Sequence, residues 1–178
     1  SHILEESNSE YYPLDLSGIT VLDCGGDGNL TRYGRFFKSL DLPVYGFFDK
    51  QNLSEQQRKD LNEAFKFYTE LEVKKIEDML VEEVPISIQW QYLNDIKNQN
   101  QLSNGPRIPD VQPEDDAVKR LTREVLVQAK GDRRSATLIK YCDSGNLPET
   151  LKDFLAMVYK NHTCPVHPLS TDETNAYE

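Results

Sequence analysis

The chain has 178 residues with 30 acidic and 20 basic side chains, and its formal net charge is −10 at pH 7. This length predicts one domain of ordinary size with at most a small appended subdomain, and the hydrophobic fraction of 38% is enough to form its core. No run approaches the roughly 20 apolar residues of a membrane span. An acidic protein does not attract DNA by its overall field, so binding to nucleic acid would need a basic patch, bound cations or another domain.

The first third of the chain alternates short apolar runs with one helical pattern. Ile3-Leu4 predicts the end of a first strand, and the β-branched run over residues 18–23 predicts a second strand that is buried and parallel. The glycine-rich residues 24–28 predict a tight turn, since they lack the lysine and the spacing of a phosphate-binding P-loop. Asn29 is placed to cap a helix over residues 30–40, where apolar side chains recur at helical spacing.

The alternation continues to about residue 84. Residues 43–48 predict a third strand, and residues 67–69 a short fourth one. Between them, residues 54–57 have the form of a capping box and open a helix that runs to about residue 66. Another helix is predicted over residues 75–83. This order of strands and helices predicts an α/β fold with a parallel sheet flanked by helices.

From residue 85 onward the composition becomes rich in Gln, Asn and Pro, and the remaining apolar patterns are helical. Helices are predicted over residues 114–130, 135–141 and 148–160. The chain therefore divides into an α/β domain over 3–84, a mostly helical subdomain over 85–161 and a flexible tail over 162–178. Trp90 is interpreted as a core anchor of the helical part.

The cysteines and the first residues bear on the origin of the chain. Cys24, Cys142 and Cys164 are an odd number without CxxC spacing, which favours a reducing compartment such as the cytoplasm. Ser1-His2 is typical of a cleaved affinity tag, so we expect a fragment of a longer protein.

Acidic side chains recur where the predicted strands end. Glu6 and Glu10 follow the first strand, Asp49 ends the third, and Glu77 lies on the helix after the fourth. Since the carboxyl ends of parallel strands share one edge of a sheet, these carboxylates would repel one another unless cations shared the site. Hard divalent ions with oxygen ligands are the natural solution.

Several segments resemble one family in order and spacing. Residues 6–10 resemble the E-G-x-S/T-E motif that opens TOPRIM domains, with Ser7 at the glycine position, and residues 18–26 and 42–49 resemble the second and third strands of that domain. Residues 74–80 and 125–131 resemble the acid-bearing helix and the lysine-bearing segment of OLD (overcoming lysogenization defect) nucleases. These proteins join an ABC-type ATPase to a C-terminal TOPRIM nuclease.

The resemblance implies a divalent-metal-dependent DNA endonuclease that uses two Mg²⁺ or Mn²⁺ ions. The implied metal ligands are Glu6, Glu10, Asp49, Gln51 and Glu77, with Lys130, Glu10 and Glu6 as catalytic residues. The implied DNA contacts are Arg32, Arg35, Lys38, Arg133 and Arg134. The implied partners are DNA and an ATPase domain in cis, through which the full-length protein would dimerise, and the implied role is phage defence or DNA processing.

Two departures from the family pattern bear on activity. Asp49-Lys50-Gln51 stands where the family has a D-x-D pair, and Gln51 offers an oxygen without a charge, so we expect weaker binding of the second ion. The span between Glu10 and Gly18 is also too short for the usual full helix.

Other interpretations of these residues remain open. Taken alone, Glu6 and Glu10 are typical of solvated surface acids, Asp49 of a loop cap, and Glu77 of a surface helix. Lys130 is equally typical of a helix C-terminus. A catalytically silent interaction module is one alternative function, motivated by Gln51 and the acidic surface. A receiver-like phospho-acceptor domain is the other, because it also carries an aspartate after its third strand.

Overall fold

The computed structural model describes residues 2–7, 11, 13–99, 105–128 and 134–162, with the backbone alone at 7, 27, 134 and 135. Within these ranges the fold is mixed α/β, with a small parallel sheet of two strands flanked by helices. The fold class that the alternation predicts is therefore confirmed. Among the helices so described, none has the length and apolar character of a membrane-spanning segment.

From residue 30 onward the described elements follow the predicted order, with helix α5 as an unpredicted addition. In chain order they are α1 (His2–Ser7), a 3-10 turn (Asp27–Asn29), α2 (Leu30–Ser39), β1 (Tyr45–Phe48), α3 (Glu55–Ala64), β2 (Phe67–Glu70), α4 (Ile76–Glu83), α5 (Ile86–Asn98), α6 (Asp115–Gln128), α7 (Arg134–Ile139) and α8 (Glu149–Asn161). Of these, α2 to α4, α6 to α8 and both strands lie where the sequence predicts them, to within a few residues.

The two strands run parallel and are joined by the crossover helix α3. Tyr45 pairs with Phe67 and Phe48 with Glu70, so the strands end level with each other. The pairing continues beyond the strands, because the Leu71 amide donates to the Phe48 carbonyl at 2.9 Å. The residues directly after β1 therefore lie beside the residues directly after β2.

A capping box sets the start of α3, as predicted. The Ser54 hydroxyl accepts from the Gln57 amide at 3.3 Å, and the Gln57 side chain accepts from the Ser54 amide at 2.9 Å. The helix buries Leu61 and Ala64, which pack with Phe48 of β1 in a small hydrophobic cluster. Local capping and this apolar contact together place α3 against the sheet.

The first predicted strand is wrong, because residues 2–7 form helix α1. Leu4 is buried in the main core and Ile3 packs against that core. Adjacent residues of a strand point to opposite faces, whereas a helix turns them by only about 100°, so a helix lets both contact the same core.

The second predicted strand, over residues 18–23, is also wrong. Val21 is 79% exposed and Leu22 is 48% exposed, and neither lies in a strand. A buried parallel strand needs a neighbouring strand, and the other strand predicted in this part of the chain, which ends at Ile3-Leu4, folds as part of helix α1. Composition alone therefore misidentified this run, since β-branched residues favour a strand only where there is an edge to pair with.

The glycine-rich segment forms the predicted tight turn. Gly25 and Gly26 adopt φ values of 65° and 127°, and the Asp23 carboxylate accepts from the Gly25 amide at 2.8 Å. Asn29 occupies the N-cap position of α2 without making a capping hydrogen bond, so that expectation is wrong. Its side-chain amide donates instead to the Cys24 carbonyl at 3.0 Å and closes the turn.

The main hydrophobic core is built on α4, α5 and α6. The helix α5 was missed because residues 89–101 are rich in Gln and Asn, although Ile88, Tyr92 and Ile96 recur every four residues and are buried. Buried Gln89 donates to the Val81 carbonyl at 2.8 Å and to the Val84 carbonyl at 2.7 Å, so it ties α5 to the end of α4.

This core draws residues from both sides of the predicted domain boundary at residue 84. Leu71, Met79 and Leu80 lie before the boundary and pack in the same cluster as Leu93 and Leu126 beyond it. Trp90 is partly buried and packs against this cluster, which confirms it as a core anchor. The division at residue 84 stays a prediction, and the tail from residue 163 onward lies outside the described residues.

Close packing between α2 and the end of α3 requires Gly34. A Cβ at this buried position would lie 2.9 Å from the Ala64 Cβ and 2.9 Å from a ring carbon of Phe65. Such a contact is shorter than carbon atoms tolerate, so either the helix or the ring would have to shift.

We predict that Gly34→Ala lowers the free energy of unfolding by about 1–3 kcal/mol. In an unconstrained helix the same change would raise the free energy of unfolding by about 1 kcal/mol. Whether Gly34→Ala raises or lowers this free energy therefore tests the close packing. Urea unfolding measures it, with Asn62→Ala at an exposed position of α3 as the control, expected within about 0.5 kcal/mol of the parent. A more stable Gly34→Ala protein would contradict the described contact.

Candidate metal centre at the sheet edge

The candidate site lies at the carboxyl edge of the two-stranded sheet. Asp49 directly follows β1, Glu70 is the last residue of β2, and Glu77 lies in the first turn of α4, the next helix along the chain. Parallel neighbours bring their carboxyl ends to one edge, which is where open α/β sheets place functional groups. The topology therefore places Asp49 at the predicted edge beside the end of β2, with Glu77 on the helix that follows.

We call Asp49-Lys50-Gln51 the edge segment. Its backbone continues alongside the chain that follows β2, because the Lys50 amide donates to the Val73 carbonyl at 3.0 Å. The Gln51 amide donates to a carboxylate oxygen of Glu70 at 2.9 Å. The residue Asp49 is half-buried and its Oδ1 atom is fully buried. The segment is thus held to the sheet at two successive amides.

Glu70 is a residue of this edge that the sequence analysis missed. Its side chain is 15% exposed, and its second carboxylate oxygen accepts from the Arg58 guanidinium at 2.8 Å. The predicted strand ended at residue 69, so Glu70 was not considered as a strand-end acid. The rule that selected Asp49, an acid at the end of a parallel strand, would have selected Glu70 as well.

The protonation state of Glu70 follows from these contacts. Burial by itself raises the pKa of this carboxyl group, but the Gln51 amide, the Arg58 guanidinium and the nearby Lys50 together lower it below its ordinary value. Glu70 is consequently a carboxylate at neutral pH. It adds a fixed negative charge to the edge, and Arg58 largely balances that charge.

Glu6 and Glu77 are placed differently. Glu6 lies on α1 with 70% of its side chain exposed, and its carboxylate is 3.4 Å from the His2 imidazole. Glu77 is half-buried, and its charge also suits the positive end of the α4 dipole. Each position thus has a plain structural explanation beside the functional one.

The predicted constellation is described only in part. Glu10, Lys130 and Arg133 lie outside the described residues, and for Arg134 only the backbone at the start of α7 is described. In the described part of the chain, no three His, Cys, Asp or Glu side chains are grouped closely enough to hold a metal ion. The ligand set therefore stays a prediction, and its completion depends on Glu10.

The predicted DNA contacts on α2 already have partners within the protein. Arg35 pairs with Asp60 of α3 at 2.9 Å, and the Lys38 ammonium donates to the Glu63 carbonyl at 2.5 Å. The Arg32 guanidinium lies 5.5 Å from the ring centre of its neighbour Tyr33. Arg35 and Lys38 thus connect α2 to α3, and a phosphate would have to share or displace these contacts.

A surface cavity of about 560 Å³ lies away from the candidate residues. It is formed by the end of α5 and the loop over 105–110, and none of the candidate ligands lines it. The Lys97 ammonium on its wall donates to the Pro109 carbonyl at 3.1 Å and pairs with Asp110 at 2.5 Å. We do not assign the predicted chemistry to this cavity.

Comparison with known protein families gives a match for the N-terminal part of the chain. Residues 2–50 match the family described as overcoming lysogenization defect protein-like, TOPRIM domain. Over this range the chain is similar to an OLD-like TOPRIM domain. No curated protein and no solved structure matches it. The OLD-like TOPRIM match points to a domain that binds divalent metal and acts on nucleic acid, and it includes both Glu6 and Asp49.

The family match confirms the resemblance over its first segments. Residues 6–10, 18–26 and 42–49 lie within the matched range. Residues 74–80 and 125–131 lie beyond it, so their likeness to the acid-bearing helix and to the lysine-bearing segment stays a prediction.

The lowered pKa of Glu70 predicts a pH dependence of stability. A group with a depressed folded-state pKa stabilises the fold above its unfolded pKa, about 4.3 for glutamate, and that contribution is lost as the pH falls through the lower folded pKa. We expect Glu70→Gln to be less stable than the parent at pH 7, with the difference shrinking as the pH falls below about 4. Urea unfolding across this range measures the difference, and a constant difference would contradict the assignment.

Proposed function

We propose that this chain is the metal-dependent DNA endonuclease domain of a longer protein that joins a TOPRIM nuclease to an ABC-type ATPase. The observation that carries the proposal is the family match over residues 2–50, which spans the E-S-N-S-E motif and ends within the edge segment, after Asp49 and Lys50. The parallel sheet supports it, because Asp49 follows β1 at the edge where such sheets hold functional groups.

The proposed ligands suit hard divalent ions. Asp49 offers carboxylate oxygens at the sheet edge, Gln51 a neutral oxygen, and Glu6, Glu10 and Glu77 further carboxylates. Such an all-oxygen donor set is typical of Mg²⁺ and Mn²⁺. When bound, two such ions lower the pKa of an attacking water and stabilise the departing oxygen of a phosphodiester. With Gln51 in place of an acid, we expect one of the two positions to be weak.

The remaining residues of the proposal handle the phosphate backbone. Lys130 would balance charge on the phosphate as the bond breaks. Five basic residues would hold the flanking phosphates, namely Arg32, Arg35 and Lys38 on α2 together with Arg133 and Arg134. Because the chain carries a net charge of −10, this local basic surface and the bound cations must supply the attraction for DNA.

In the full-length protein we propose three further partners or roles that follow from the family. An ATPase domain in cis would couple nucleotide hydrolysis to the nuclease. That domain would also carry the dimer interface. The whole would act in phage defence or in DNA processing.

Cleavage of plasmid DNA with Mn²⁺ tests the proposed activity. We expect the parent chain to cut, and Glu10→Ala and Lys130→Ala to cut at least about 100-fold more slowly, because each removes a group that contacts an ion or the phosphate. Asp153→Ala and Lys160→Ala change exposed charges on α8 and should cut like the parent. If Glu10→Ala and Lys130→Ala cut as fast as the parent, the assignment fails.

The substitution of Gln51 predicts a gain of function in metal binding. Gln51→Asp restores the second charge of the D-x-D pair without altering the backbone amide that Glu70 holds. We expect affinity for Mn²⁺ to rise about tenfold, since ligand charge sets the affinity of such sites. Calorimetric titration measures this, and an unchanged affinity would mean that Gln51 does not contact an ion.

The structure gives one reason to retain the silent interaction module as a second candidate. Glu6, Asp49 and Glu77 do not form a three-acid metal-binding group among the residues described. A silent module should show no saturable Mn²⁺ binding, whereas the nuclease should. The same titration of the parent chain therefore separates the two functions.

A further inference from the structure

We propose that Glu70, held by Arg58, is a positioning residue that fixes the edge segment Asp49-Lys50-Gln51 against the sheet. This inference rests on the proposed function, because it assigns Glu70 a role in shaping the metal centre that the edge segment would form. The role is distinct from that of a ligand, since it is exerted through the backbone of Gln51.

The hydrogen-bond ladder shows why a side chain is needed at this point. Leu71 donates to the Phe48 carbonyl at 2.9 Å, and Lys50 donates to the Val73 carbonyl at 3.0 Å. The following amide, that of Gln51, donates to the Glu70 carboxylate at 2.9 Å. A side-chain oxygen of Glu70 therefore accepts from the first amide after Lys50 and holds the segment one residue beyond the last of these backbone hydrogen bonds.

A second contact keeps the Glu70 carboxylate in place. Its other oxygen accepts from Arg58 of the crossover helix at 2.8 Å, so donors from two different elements fix the two oxygens. The Glu70 side chain is 15% exposed and that of Arg58 is 47% exposed, which places the carboxylate on the inner side of the pair. A charge-assisted contact of this kind is stronger and more directional than a neutral one.

The geometry favours positioning over direct metal binding. Both carboxylate oxygens of Glu70 are engaged by donors, one of them cationic, and a metal ion would have to compete with Arg58 for the carboxylate. An outer partner that orients a ligand segment typically changes metal affinity by 10- to 100-fold when it is lost. Glu70 fits this description because it contacts the backbone of the segment that carries Asp49.

Two variants of Glu70 separate the hydrogen bond from the charge. Glu70→Gln keeps an oxygen that can accept from the Gln51 amide, whereas Glu70→Ala removes the acceptor entirely. The matched control is Glu82→Gln on α4, since Glu82 also accepts from cationic side chains, those of Lys119 and Arg123, and its pKa is also lowered by them. Circular dichroism and urea unfolding verify that each variant is folded.

Two measurements on the 178-residue chain test the proposal, namely calorimetric titration with Mn²⁺ and hydrogen exchange of the Gln51 amide without metal. We expect Glu70→Ala to weaken Mn²⁺ binding at least tenfold and to speed exchange at Gln51 at least tenfold. Glu70→Gln should stay within about threefold of the parent in both, and Glu82→Gln should match the parent.

Each contrary result has its own meaning. Unchanged exchange at Gln51 in Glu70→Ala would overturn the positioning role whatever the metal does. Equal weakening of Mn²⁺ binding by Ala and Gln would assign the effect to charge and also overturn it. If the parent does not bind Mn²⁺ at all, the proposed function fails, and faster exchange at Gln51 in Glu70→Ala alone would still support Glu70 as the residue that fixes the edge segment.

Discussion

The pairing of two short parallel strands is the constraint on which the rest of this protein depends. Since Phe48 pairs with Glu70, the chain leaves both strands at the same level, and everything proposed for the site follows from that register. A shift of one residue would turn side chains to the opposite face and would separate Glu70 from the Gln51 amide. The crossover helix stabilises the register from outside, because Arg58 holds the Glu70 carboxylate.

Much of the fold could be predicted because local signals agree with the tertiary environment. The capping box at Ser54 and the apolar spacing of α2 and α6 are self-contained, so they predict helices without knowledge of neighbours. The run over residues 18–23 misleads for the opposite reason. Whether β-branched residues form a strand depends on a partner elsewhere in the chain, and the first predicted strand is instead a helix that buries Leu4 in the main core.

The sequence predicts where the candidate site lies, but it identifies only some of the residues there. The rule that acids follow parallel strands located Asp49 and the edge, and the family match supports that assignment. Glu70 was not found because the predicted strand ends one residue too early, at residue 69, and its contacts with Arg58 and Gln51 join residues that are distant in sequence. Tertiary contacts also give the basic residues of α2 a structural role, since Arg35 binds Asp60 and thereby joins α2 to α3.

Paramagnetic broadening by Mn²⁺ tests the central claim, that the edge of the parallel sheet is a metal centre, most directly. A ¹⁵N-labelled sample titrated with substoichiometric Mn²⁺ should first lose the amide signals of the edge segment and of Leu71, because relaxation falls steeply with distance from the ion. Uniform broadening across the chain, or selective loss of signals away from residues 49–51, would contradict this account.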